Sequence, residues 1–142
     1  MLFRSDNVIF DPHEPRIRAV LDWELSTLGH PLADFAYHCL VWYRDTNTNQ
    51  GLLGLNLEAL ALPAVSDYLA EYCKRLGRDV VPPREFEYYI VFNMFRLVGI
   101  LQGVTARAIQ GNASSGRAAV LGSGARPLAE AAWRRVEALG GV

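Results

Sequence analysis

Residues 1–38 constrain the fold more tightly than any other stretch, because an amide and a carboxylate bracket two short β-prone runs there. The order is FRSDNVIF, then the polar interval DPHEPRIR, then AVLDWELSTLGHPLADFAYH. Asn7 leads Val8-Ile9-Phe10, and Asp22 closes Ala19-Val20-Leu21. Two such runs around a Pro-containing charged interval predict a hairpin. Pairing centred between Glu14 and Pro15 places Asn7 opposite Asp22 and Ile9 opposite Val20, with the amide and carboxylate on one face. Two oxygens held that way suit Mg²⁺, which takes few protein ligands and leaves positions for phosphates. A one-residue slip would turn one partner away.

The residues FRSDNVIF, LDWE and PLADFA resemble the aminoglycoside phosphotransferase and choline kinase superfamily. The nearest likeness is to the branch also found fused to acyl-CoA dehydrogenases. The resemblance implies an α+β, mostly α-helical chain, the C-terminal lobe of a protein-kinase-like fold with a short N-terminal β-hairpin. It also implies Mg²⁺ and ATP as cofactors. Asn7 matches the metal-binding asparagine that ends the family's His-Gly-Asp-x-x-x-x-Asn loop. Asp22, in Asp22-Trp23-Glu24, matches the second metal ligand. Kinases divide Mg²⁺ between an aspartate and a catalytic-loop asparagine in this way. Leu2 stands where the family places its catalytic aspartate, and Asp6 would point to the other face of an extended segment. The expectation is therefore a fragment, residues 1–142 forming the C-terminal lobe without its nucleotide lobe. Alone it would be catalytically silent, a binding or regulatory module, or one half of a split enzyme. A metal-dependent hydrolase using Asn7, Asp22 and Glu24 is a further alternative.

With 142 residues, 51% of them hydrophobic, the chain can bury one core. A net charge of −1 gives no electrostatic reason to expect nucleic acid. Cys39 and Cys73 show neither CxxC nor metal-ligand spacing, which predicts free thiols in a reducing cytoplasm. No uninterrupted apolar run approaches 18 residues, which argues against a membrane span.

After Asp22, WELSTLGH reads as a surface loop, and Pro31 as a first-turn helix residue. Leu32, Phe35, Ala36, Cys39, Leu40 and Tyr43 then recur at helical spacing. Asp34 suits the helix N-terminus as a charge–dipole residue. The resemblance implies instead that it braces the catalytic loop from behind. His30 and His38 have no ligand-spaced partner and read as surface residues. Residues 44–62 read as a long loop with a short turn, and a helix capped by Ser66 ends at Gly77.

Glu85 to Gln110 is the longest periodic segment, with Tyr89, Phe92, Leu97, Ile100, Leu101 and Val104 for burial. Along it runs a small or polar stripe of Asn93, Arg96, Gly99, Gly103 and Arg107. Arg96 and Arg107 lie about 16 Å apart along such a helix, enough to meet different parts of an extended anionic ligand. The alternative is that the glycines admit a helix crossing and the arginines pair with acids such as Asp34. Gly111 to Gly116 reads as a cap and turn, Arg117 to Gly122 as a short helical piece, and Pro127 to Leu139 as a last helix. That helix would turn Leu128, Ala131, Ala132 and Val136 inward, with Trp133 as a packing anchor.

The resemblance thus implies phosphoryl transfer from ATP to a hydroxyl of a small molecule. It favours a hydroxyacyl-CoA over an aminoglycoside, a polycation that calls for an acidic rim, with an aminoglycoside or choline-type kinase as the alternative. Glu24 is placed to orient the acceptor or to pair with Arg96 or Arg107. An acyl-CoA dehydrogenase or a nucleotide lobe is the implied protein partner.

Overall fold

The protein was analysed as a computed structural model describing residues 7–24, 28–46, 51–111 and 122–140. Two strands, β1 (Val8–Phe10) and β2 (Ile17–Val20), form an antiparallel hairpin. Helix α1 (Pro31–Cys39) runs into a 3-10 turn, Leu40–Tyr43. Then come α2 (Val65–Arg75), the 27-residue α3 (Pro83–Ile109) and α4 (Ala125–Ala138).

The hairpin register differs by one residue from the expected one. Val8 faces Val20 and Ile9 faces Ala19, with a bulge before Phe10 meets Ile17. The polar interval explains the shift. Asp11 opens a turn in which its carboxylate accepts from the His13 and Glu14 backbone N–H groups at 2.8 and 3.1 Å. An Asx turn of this kind fixes the loop geometry, and loop geometry fixes register.

The core lies where α3 crosses α1. From α1 come Leu32, Phe35, Ala36 and Cys39, a stripe at spacings of three and four. From α3 come Phe86, Ile90, Met94 and Leu97. Each large apolar side chain sealed here contributes roughly 1.5–3 kcal/mol. The buried face of α3 is rotated from the expected one, since Phe92 and Ile100 are exposed and Asn93 is fully buried. The sequence periodicity located a helix that is apolar on several sides, and only packing against α1 and α4 selects which sides are inward.

Helix α2 starts one residue before the expected cap. Ala64 occupies the cap position, Ser66 lies inside the first turn, and no side chain caps the end. The helix docks through aromatic faces, with Phe35 stacked on Tyr72 at 3.9 Å and on Tyr68 at 5.3 Å. It stops at Gly77, whose φ of +61° is the left-handed conformation open to glycine, as expected. Helix α4 packs along α3, and Gly122 sits so close to Thr105 that a Cβ would meet its Oγ1 at 1.8 Å. Arg135 of α4 pairs with Glu87 of α3 and lies 4.3 Å over the Tyr43 ring. Trp133 is not an anchor. It is 47% exposed and donates Nε1–H to Glu137 on the same helix.

Cys39 and Cys73 are free and buried, as expected, and burial pushes the Cys39 thiol up to about 12. The expected helical piece at 117–122 and most of the Gly111–Gly116 turn lie outside the described residues. Among the described residues, one helix, α3, is long and apolar enough to cross a membrane on length and composition alone. Counting uninterrupted apolar residues missed it, because an 18-residue window tolerates the polar positions. Its buried stripe against α1 is what a core helix also shows.

Candidate functional site

Asn7 and Asp22 meet at the open end of the hairpin. The Asn7 Nδ2–H group donates to Asp22 Oδ2 at 3.3 Å, and Leu21 N–H donates to Asn7 O at 2.7 Å. In the observed register Asn7 lies level with Leu21, so alternation alone would aim Asp22 elsewhere. The backbone of Asp22 corrects this. Its φ is +56°, the left-handed region that aspartate tolerates better than most residues. The chain turns there as it leaves β2, and the carboxylate returns to the amide. The predicted pair forms by a route that periodicity does not encode.

Asn7 Oδ1 and the Asp22 carboxylate oxygens are hard donors on these two neighbouring side chains. No cluster of three or more His, Cys, Asp or Glu residues suited to a metal occurs among the described residues. Two protein oxygens with room for phosphates suit Mg²⁺ better than a metal needing a full protein cage.

The hairpin itself is held by a residue that the sequence reading passed over. The Asp11 side chain is buried, and its Oδ2 accepts from Arg18 Nε at 2.6 Å and Arg16 Nε at 3.4 Å. The His13 N–H bond, then Arg18, hold its carboxyl below the usual carboxylate range. The available signal was an Asp followed by Pro at the start of a turn, with arginines five and seven residues on.

Asp34 lies in the first turn of α1, half-buried, where the helix N-terminus favours its charge. Residues 1–6, including Leu2 and Asp6, lie outside the described residues, and with them the loop that Asp34 would brace. His30 precedes α1 and is exposed as expected, its ring stacked on Tyr89 at 5.1 Å. His38 is not a plain surface residue. Its Nε2 lies 3.2 Å from the Tyr68 hydroxyl, and burial lowers its pKa.

Arg96, Gly99, Ile100, Gly103 and Arg107 line a groove of about 470 Å³ on the outer side of α3. Among the described residues nothing approaches within 4 Å of a Cβ built on Gly99, and at Gly103 only Arg107 does. The glycines therefore do not serve a helix crossing between described elements. No ion pair to Arg96 or Arg107 occurs there either, Asp34 and Glu24 included. Arg96 instead lies 5.5 Å over the Phe92 ring. Asn93, the first member of the predicted stripe, is not in this groove but in the core. Glu24 is exposed beyond Asp22.

A model of the phosphotransferase enzyme family matches residues 3–73, half of the chain. The chain belongs to that family. A solved protein from Ralstonia eutropha, provisionally named an aminoglycoside phosphotransferase, superposes with a TM-score of 0.86 at 45% identity. The match covers 96% of this chain and 41% of that one, and gives the fold as kinase-like. Mouse acyl-CoA dehydrogenase family member 10 is 42% identical over 134 residues, covering 92% of this chain and 12% of that protein. Human acyl-CoA dehydrogenase family member 11 is 36% identical over 128 residues, 90% of this chain and 16% of that protein. The chain thus spans under half of the solved relative and under a fifth of these dehydrogenase-named relatives.

Proposed function

We propose that the chain is the C-terminal lobe of an ATP- and Mg²⁺-dependent phosphotransferase that phosphorylates a hydroxyl of a small organic substrate. The Asn7–Asp22 contact at 3.3 Å carries this reading. Asn7 Oδ1 and the Asp22 carboxylate would hold Mg²⁺, which, when bound with ATP, neutralises charge on the transferring phosphoryl group. Asp34 supports the loop end from α1. Glu24, beside the metal position, orients the acceptor.

The groove of Arg96 and Arg107 supports an anionic substrate, such as a hydroxyacyl-CoA, over the polycationic aminoglycosides or choline. The dehydrogenase names of the relatives point the same way, and make an acyl-CoA dehydrogenase the protein partner of choice. A cytoplasmic setting without nucleic-acid or membrane partners fits the net charge and the free buried thiols.

Leu2, at the family's catalytic-aspartate position, favours a second reading, a module that binds and does not turn over. One experiment separates them. An ATP-dependent assay by mass spectrometry compares the 142-residue chain, its Leu2→Asp variant, and a fusion to the N-terminal part of the Ralstonia relative. The acceptors are hydroxyacyl-CoAs, aminoglycosides and choline. Only the fusion is expected to turn over. Its Asp22→Ala variant should lose about 10³-fold or more, as loss of a metal ligand implies. Arg96→Ala and Arg107→Ala should mainly raise KM. A fusion that binds ATP and phosphorylates nothing leaves the binding module.

A further inference from the structure

Asn93 is the one fully buried polar side chain in the crossing of α1 and α3. Its Nδ2 group donates to Ala33 O of α1 at 2.8 Å and to Tyr89 O of α3 at 2.9 Å. Reversing the amide would set Oδ1 against two carbonyl oxygens, so the contacts fix its orientation. Oδ1 itself is buried without a hydrogen-bond partner. A leucine, with the same branching of its side-chain heavy atoms, would leave no buried side-chain acceptor unpaired, so burial alone does not explain an asparagine here.

The carbonyls it joins explain it better. Ala33 directly precedes Asp34, and the Tyr89 ring, one turn back on α3, stacks on His30 at the entrance to α1. Tyr89 and Asn93 together grip the segment from His30 to Ala33. The same helix carries Arg96 three residues further on, about 4.5 Å along the axis.

We propose that Asn93 is a positioning residue that sets the axial height of the first turn of α1 on α3. It thereby holds Asp34, which directly follows Ala33, and the arginine groove in one frame. The proposal rests on the phosphotransferase reading for its purpose, while its geometry is tested separately.

The test is hydrogen exchange on the 142-residue chain together with Mn²⁺ titration. In Asn93→Leu, amides over residues 33–37 should exchange at least tenfold faster, with Phe86–Leu97 still protected. Asn93→Asp supplies a chemical rescue. Its buried acid can donate to a carbonyl only when protonated, so protection over 33–37 should return toward the unmodified value at pH 5 and be lost at pH 8.

Unchanged exchange over 33–37 in Asn93→Leu, or loosening spread evenly over the core without acid rescue in Asn93→Asp, would overturn the proposal. Should both variants fail to fold, the unmodified chain decides. Slow exchange of the Asn93 carboxamide protons supports the clamp, and fast exchange sinks it. A chain that binds no Mn²⁺ refutes the metal reading alone, and the exchange result still judges Asn93.

Discussion

The hairpin and the helical body are built on opposite principles. The helical body seals Leu32, Phe35, Ile90 and Met94 away from water and orders itself by packing. The hairpin buries almost nothing. Ile9, Phe10, Ile17, Val20 and Trp23 are all exposed, and its order comes from Asp11 and the ladder. A lone two-stranded hairpin is marginal in water, so local hydrogen bonds have to hold its shape. The residues proposed to bind metal sit on this lightly held element, and the groove proposed to bind substrate sits on the rigid one.

Core truncation tests the rigid side and should give the largest effect. Met94→Ala should cost about 2–5 kcal/mol, read as a lower urea midpoint for the whole chain. An effect confined to local exchange would show that the α1–α3 crossing is not the common core. Asp11→Ala tests the other side. It should remove amide protection over residues 8–20 and separate Asn7 from Asp22, while the main melting transition barely moves. A large drop in that transition would mean that the two regions are not independent.

Acid sharpens the contrast next. Burial lowers the pKa of His38, so its contribution to stability is complete above the unfolded value of about 6.5. That contribution is lost as pH falls below 6.5, because the unfolded chain then binds the proton more readily. Asp11, with a lowered pKa, contributes above the usual carboxylate range and persists further into acid. Between pH 7.5 and 5.5, then, α2 should loosen before the hairpin, visible as faster exchange over 65–75. His38→Gln should flatten that dependence.

The smallest expected change lies in the turn before α2. Ala61 has φ of +53°, a conformation that costs a side chain with Cβ about 1–2 kcal/mol. Ala61→Gly relieves it and loses part of the gain to chain entropy, so a net increase of up to about 1 kcal/mol should appear in the urea midpoint.

The sequence by itself determined the element types and the ends that carry their own chemistry. Pro31 opens α1 and Gly77 closes α2 because a fixed φ and a left-handed φ are properties of those residues. The Asn7–Asp22 pair was legible because two β-prone runs around a polar interval imply a hairpin. Its register was not, since the Asx turn at Asp11 and the left-handed turn at Asp22 change the count in ways that alternation ignores. Nor was the inward side of α3. A helix with apolar residues all round has no preferred face until a partner covers one. Contact with α1 and α4 therefore decided that Asn93 is buried while Phe92 and Ile100 stay outside, and only tertiary structure could make that choice.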